Sequence, residues 1–97
     1  MLEKPVEDYL KKEVIKLLPN ARVVKFEAER NDPDRLCLLP GGRAVFIELK
    51  RPKKGLRDGQ QRAIDRLTKL GFEAFMVNST EGVDDFINKL RIEYKLI

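Results

Sequence analysis

Hydrophobic and polar positions follow two periods along the chain, and each period predicts a different kind of element. In three segments apolar residues recur every three to four positions, which is typical of amphipathic helices. Other segments are short, rich in Val, Phe, Ile and Leu, and bounded by Pro, Gly, Asn or Asp, which favours strands. In chain order, the predicted elements are a helix (5–18), three strands (21–29, 35–40 and 43–50), a helix (57–70), a strand (72–78) and a helix (80–90).

The order of these elements predicts an α/β or α+β sheet with helices packed against it. The chain has 97 residues, which is enough for one domain with one modest core. It contains no repeat, low-complexity segment or linker that would divide it. We therefore expect residues 1–97 to form a single domain.

Polar residues interrupt the apolar faces of these elements. On a helical wheel, Glu7 falls inside the apolar stripe of the first helix, and Gln60 is central on the apolar face of the second. Glu48 and Lys50 project from the same face of the third strand, because side chains alternate along a strand. Unpaired buried charges are costly, so these groups need partners.

Each of these residues has an ordinary structural explanation when it is taken alone. An acid near a helix start favours the macrodipole, a strand-end ion pair is common, and Asp34 follows Pro33 as turn acids often do. Their combination is harder to explain by coincidence. A hairpin turning at Gly41-Gly42 places Asp34 opposite a residue near position 49, so Asp34 and Glu48 should converge at the open end of the hairpin.

Two convergent carboxylates, a backbone carbonyl and waters form an oxygen site that suits Mg²⁺ or Mn²⁺. Such a cation assists phosphodiester hydrolysis. Lys50 would orient or deprotonate the attacking water, or neutralise charge in the transition state. Glu7 would complete the acidic cluster or bind a second metal, and Gln60 would hold the water or the lysine.

Composition narrows the classes of site. The chain has no histidine and one cysteine, which excludes Ser-His triads and histidine-metal sites and makes structural zinc very unfavourable. Twenty Lys and Arg against 16 Asp and Glu give a net charge of +4, which suits a polyanionic partner. A basic segment directly follows the third strand, and we expect it to contact DNA phosphates through Arg51, Lys53, Lys54 and Arg57. Four further cations would extend this contact: Arg22, Lys25, Arg30 and Arg35.

Pro33-Asp34, followed after thirteen residues by Glu48-Leu49-Lys50, resembles the PD-(D/E)xK nuclease signature. The surrounding sequence, "RNDPDRLCLLPGGRAVFIELKRPKKGLRDGQQRAIDRLTKLGFEAFMV", is similar to the VRR-NUC branch, the virus-type replication-repair nucleases, and the similarity extends over about residues 5–77. One departure is Asn31, where the branch usually has glycine. Asparagine tolerates a positive φ better than most residues, so we expect the turn to be kept.

The resemblance implies a restriction-endonuclease-like α/β fold, with an αβββαβ core, a mixed four-stranded sheet flanked by helices, and a C-terminal helix. It also implies a Mg²⁺- or Mn²⁺-dependent deoxyribonuclease. The catalytic residues that it implies are Asp34, Glu48, Lys50, Glu7 and Gln60. The metal ligands that it implies are Asp34, Glu48, Glu7 and the carbonyl of Leu49.

Short members of the branch resemble Holliday-junction resolvases and act as homodimers, so the resemblance implies branched DNA and a second copy of the chain as partners. Two other interpretations stay open: a non-cleaving nucleic-acid-binding module of the same fold, and a nuclease that acts on linear duplex DNA. The tail (91–97) is predicted to be a short strand or an extension. With the apolar side chains of the third helix, it is a candidate dimer interface.

The sequence also predicts where the protein works. No window is apolar enough for a membrane span, and no signal peptide is visible at the N-terminus. The lone Cys37 fits a reducing compartment. We expect the protein in the cytoplasm of a bacterium or of a phage-infected host.

Overall fold

Three helices and four strands follow one another in the predicted order, in a computed structural model that describes residues 3–96. They are α1 (Lys4–Leu17), β1 (Arg22–Lys25), β2 (Arg35–Leu39), β3 (Arg43–Leu49), α2 (Asp58–Lys69), β4 (Glu73–Val77) and α3 (Thr80–Glu93). The strands form one sheet in the order β1-β2-β3-β4, in which β1, β2 and β3 pair antiparallel and β4 pairs parallel to β3. This mixed four-stranded sheet with its helices confirms the predicted fold.

The hairpin between β2 and β3 fixes which residues meet at its open end. Its loop contains three residues, and Gly41 and Gly42 have φ of 83° and 74°, a left-handed conformation that glycine adopts without steric cost. Arg35 lies opposite Ile47. Continued by one residue, this register places Asp34 opposite position 48 rather than 49. The difference arises because the hairpin is centred on Gly41 and not between the two glycines.

The first strand is shorter than predicted, with four residues instead of nine. Its sheet neighbour β2 begins at Arg35, and the last bond between them runs from the Phe26 amide to the Asp34 carbonyl at 3.0 Å. The residue before Asp34 is Pro33, which has no amide hydrogen to donate. Residues 27–29, which the sequence predicted to continue this strand, therefore pair with no strand in the described part of the chain.

The main core lies between the sheet and the helices α1 and α3, which pack against each other. The alternate face of the sheet carries Glu48, which contacts Gln60 of α2, so α2 lies on the opposite side of the sheet. The core side chains are Val6, Leu10 and Val14 of α1, Cys37 and Leu39 of β2, Val45, Ile47 and Leu49 of β3, Val77 of β4, and Val83, Phe86, Ile87 and Leu90 of α3.

The last helix begins at a side-chain cap and runs beyond its predicted end. Ser79 is its N-cap, and the Ser79 hydroxyl accepts a hydrogen bond from the Gly82 amide at 3.0 Å. The helix continues to Glu93, so the first part of the tail is helical and not a strand; Ile97 lies outside the described residues. Four apolar side chains of α3 predicted for the dimer interface are buried in the core and do not form an exposed surface: Val83, Phe86, Ile87 and Leu90. Ile92, near the end of the same helix, is 73% exposed.

Within residues 3–96, none of the helices has both the length and the apolar character needed to cross a lipid bilayer.

Candidate active site

Asp34, Glu48 and Lys50 come together at the end of β3. The Lys50 ammonium nitrogen lies 3.6 Å from Oε2 of Glu48. One carboxylate oxygen of Asp34 accepts a hydrogen bond from the backbone amide of Leu49 at 3.1 Å. Asp34 is therefore attached to β3 between Glu48 and Lys50, and the hairpin register positions both carboxylates.

Gln60 joins this group from the other side. The residue is buried at the start of α2, and Nε2 of its amide donates to Oε2 of Glu48 at 3.2 Å. Its Oε1 accepts from the backbone amide of Arg57 at 3.0 Å, which satisfies an amide at the helix start. Gln60 thus stabilises the first turn of α2 and also orients the Glu48 carboxylate.

Glu48 is held in an environment that opposes its charge. The residue is only 5% exposed. Burial, and next the negative charge of Asp34, raise the pKa of Glu48 to about 7, although Lys50 acts in the opposite direction. The positive charge near Glu48 therefore does not offset the cost of ionising this carboxyl. The hard oxygen donors of Glu48 and Asp34 fit a divalent cation such as Mg²⁺ or Mn²⁺, which would supply more positive charge.

Glu7 has different neighbours. Its carboxylate forms a buried ion pair with Nε of Arg35, and Lys11 lies 3.8 Å away from the same oxygen. The hydrogen bond from Arg35 is the largest influence on Glu7 and lowers the pKa of its carboxyl. Within residues 3–96, no three acids, histidines or cysteines lie together in an arrangement that could hold a metal ion. The structure thus does not place Glu7 in one cluster with Asp34 and Glu48.

Arg35 has a role that the sequence interpretation missed. We expected it to contact DNA, but it is only 8% exposed. Its Nη1 donates to the backbone carbonyl of Asp34 at 2.9 Å and lies 3.5 Å from Asp34 Oδ2. The signal for burial was present in the sequence. Arg35 alternates with Cys37 and Leu39, both of which are buried on the same face of β2.

The basic segment forms an exposed loop beside these residues. A cleft of about 310 Å³ opens between the loop and the start of α1, and its lining residues are Glu3, Lys50, Arg51, Lys54, Gly55 and Arg57. The four predicted DNA contacts, Arg51, Lys53, Lys54 and Arg57, are all exposed. The amide nitrogen of the Asn78 side chain donates to the Lys54 carbonyl at 2.8 Å and attaches the loop to the end of β4.

Glu3 is a second residue that the sequence interpretation missed. It is half-buried and lines the same cleft as Lys50. Glu3 and Glu7 are four residues apart, so a helical wheel places them close together at the start of α1. That spacing was the signal that could have identified Glu3.

Two known proteins are similar to the chain over most of its length, although no family model matches it. A curated protein of Acyrthosiphon pisum secondary endosymbiont phage 1, described as "Putative nuclease p44", is 33% identical over 79 residues, which are 81% of this chain and 85% of that protein. A solved structure described as "VRR_NUC domain" is 30% identical, with a TM-score of 0.75, and the match covers 89% of this chain and 94% of that one.

Proposed function

Because the chain belongs to the VRR_NUC family of nucleases, we propose that it hydrolyses DNA phosphodiester bonds at the end of β3 with the help of Mg²⁺ or Mn²⁺. The convergence of Asp34, Glu48 and Lys50 supports this proposal most strongly. Two carboxylates and a lysine beside an exposed basic loop are the groups that metal-assisted phosphodiester hydrolysis requires.

Each residue has a separate task in this proposal. Asp34, Glu48 and the Leu49 carbonyl would hold the divalent cation, which supplies polarisation of a phosphoryl oxygen and a lower pKa for water. Lys50 orients or deprotonates the attacking water, or neutralises charge on the phosphate in the transition state. Gln60 holds the Glu48 carboxylate in one orientation through the hydrogen bond at 3.2 Å.

The exposed loop after β3 binds the DNA backbone. Its cations, Arg51, Lys53, Lys54 and Arg57, are suited to phosphates. The loop contains no aromatic residue that would stack on bases, so we expect recognition of DNA structure rather than of sequence.

We extend the proposal to branched DNA, such as four-way junctions, and to a homodimer. The support is the resemblance of the sequence to short VRR-NUC proteins that are similar to junction resolvases. A two-fold symmetric pair would present two active sites to two strands of one junction.

Cleavage assays on a matched set of DNA structures test this function. Four-way junction, flap, splayed-arm and linear duplex substrates of the same arm sequence are incubated with Mg²⁺, with Mn²⁺, or with a chelator. We expect cleavage only with a divalent cation, and fastest on the junction. Equal rates on linear duplex would contradict junction selectivity, and binding to all four without any cleavage would favour a binding module.

A further inference from the structure

The buried ion pair between Glu7 and Arg35 is linked to Asp34. Glu7 is 9% exposed and Arg35 is 8% exposed, so both charges are largely removed from water. The guanidinium of Arg35 has several donors in a fixed plane. Its Nε faces the Glu7 carboxylate, and its Nη1 donates to the Asp34 carbonyl at 2.9 Å.

The guanidinium therefore fixes one end of the proposed cation site. Asp34 directly precedes β2, and its side chain accepts a hydrogen bond from the Leu49 amide of β3 at 3.1 Å. Arg35 holds the Asp34 backbone by its carbonyl and also lies 3.5 Å from Oδ2 of the side chain. Its own orientation depends on Glu7, because a buried arginine needs a carboxylate partner.

One oxygen of the Glu7 carboxylate is occupied by cationic partners. The same oxygen, Oε2, is paired with Arg35 and lies 3.8 Å from Lys11. Arg35 also shares a sheet face with Ile47, which lies opposite it, whereas Glu48 projects from the other face. As a direct metal ligand, Glu7 would have to share its charge between the divalent cation and the buried guanidinium with which it is already paired.

We infer that Glu7 is a positioning residue that acts on Asp34 through Arg35, and not a ligand of the divalent cation. This inference rests on the proposed function, since it concerns the cation that Asp34 and Glu48 would bind. Arg35 is then also a positioning residue for Asp34. Arg35 makes two contacts that a lysine, with one nitrogen on a flexible stem, does not reproduce.

A double-mutant cycle on Mn²⁺ binding tests the inference by calorimetry, without reference to cleavage. The variants are Glu7→Gln, Arg35→Met and the double variant, with Asp34→Asn as the ligand control. If Glu7 acts only through Arg35, each single change weakens Mn²⁺ binding by a similar factor of about three to ten. The double variant then binds no more weakly than Arg35→Met alone. Arg35→Lys does not restore the affinity.

If Glu7→Gln weakens Mn²⁺ binding in the Arg35→Met background as much as it does in the wild-type background, the inference is overturned and Glu7 is a direct ligand. If Asp34→Asn loses Mn²⁺ binding in that same experiment, the proposed function stands while the inference fails. If the wild-type protein binds no Mn²⁺, both fail.

Controls separate positioning from loss of the fold. Val14→Ala removes volume from the fully buried part of α1 and should lower the melting temperature without changing Mn²⁺ affinity. Should Glu7→Gln fail to fold, Glu7→Leu combined with Arg35→Met replaces the whole pair by apolar groups, which a folded protein tolerates better than half a pair. Mn²⁺ affinity in this double variant below that of Arg35→Met alone would also contradict the inference.

Discussion

Glu48 is a carboxyl group held almost entirely out of water, beside a second carboxylate and one lysine. Its pKa of about 7 is far above its ordinary value of 4.5, and the largest cause is burial. An arrangement that destabilises the charged form of a side chain is favourable only if something else supplies a compensating charge. A divalent cation would supply it, so the site reduces the stability of the metal-free protein in return for function.

The pH dependence of stability should reveal this cost. The unfolded chain ionises Glu48 near pH 4.5 and the folded protein only near pH 7, so the folded state holds more protons between these values. Folding stability from this group is therefore lost as pH rises from about 4.5 to 7, by up to about 3 kcal/mol. The change to test is Glu48→Gln, measured by urea unfolding without divalent cations at pH 5 and pH 8.

We expect Glu48→Gln to be more stable than the wild-type protein at pH 8 and about equal to it at pH 5. The difference between the two proteins isolates Glu48, because carboxyls such as Glu7 and Glu73, whose pKa values are lowered by arginine partners, are the same in both. If the difference in stability between Glu48→Gln and the wild-type protein does not change with pH, the folded protein does not raise the pKa of Glu48.

The sequence predicted the residues of this site better than their partners. Glu48, Lys50 and Gln60 stood out because each is polar on a face that is otherwise apolar, and the structure brings the three together. The partner of Glu7 could not be predicted in the same way. A helical wheel shows that a side chain faces the core, but not which strand residue it meets, and Arg35 was interpreted as a surface cation.

At the scale of elements, the start of α2 packs tightly against the turn that precedes Asp34. Asn31 in that turn has a φ of 76°, which confirms that asparagine keeps the conformation usually taken by glycine. Gly59 lies directly against it. A Cβ atom on Gly59 would be 2.6 Å from Nδ2 of Asn31 and 2.9 Å from its Cγ. The asparagine side chain therefore occupies the space that a side chain at position 59 would need.

Gly59→Ala should destabilise the protein by less than about 1 kcal/mol, because the Asn31 side chain must turn aside, although alanine is the better helix former. In the Asn31→Gly background, the same change should be neutral or stabilising, because the overlap is gone. Denaturant unfolding of both single variants and the double variant measures the coupling. Gly55→Ala is the matched control, since a Cβ atom there meets nothing within 4 Å. Additive effects of the two changes would contradict the packing account.

A second prediction at this scale concerns the basic loop. The bond from Asn78 to the Lys54 carbonyl attaches the loop to the end of β4. Asn78→Ala should raise amide hydrogen exchange in residues 51–55 and weaken DNA binding by a factor of about three to ten, because the phosphate contacts lose their pre-organised geometry. Asn88→Ala, an exposed change on α3, is the control. Unchanged exchange in the loop would show that Asn78 does not hold it.

Element types could be predicted from the sequence more reliably than element ends. Periodicity predicted all the helices and strands in their order. The end of β1 depends on Pro33, on the other side of the turn that follows this strand. Tyr94, the C-cap residue of α3, donates from its hydroxyl to the Pro40 carbonyl at 2.8 Å, and this contact joins residues 54 positions apart, which local patterns do not contain.

At the scale of the whole molecule, the surface retains apolar side chains that the core does not use. Leu70 is 74% exposed and Phe72 is 47% exposed, and both lie between α2 and β4. Exposed apolar groups of this kind are compatible with a second copy of the chain. Together with Ile92 of α3, which is 73% exposed, they are apolar side chains available to the proposed homodimer.

The solution mass tests the homodimer. Sedimentation or light scattering should give a mass near twice the 11.3 kDa of one chain, and dilution should reduce it with a parallel loss of paired cuts on a four-way junction. A strict monomer that still makes paired cuts would contradict the dimer.

The central claim is that the end of β3 is where DNA is cut, and Lys50→Ala tests it most directly. The measurement is cleavage of a labelled four-way junction with Mg²⁺, together with binding of the same junction under non-cleaving conditions. We expect Lys50→Ala to lose at least about 100-fold in cleavage rate while binding changes little, because the exposed loop cations remain. Cleavage at the wild-type rate, or an equal loss of binding and cleavage, would contradict the account.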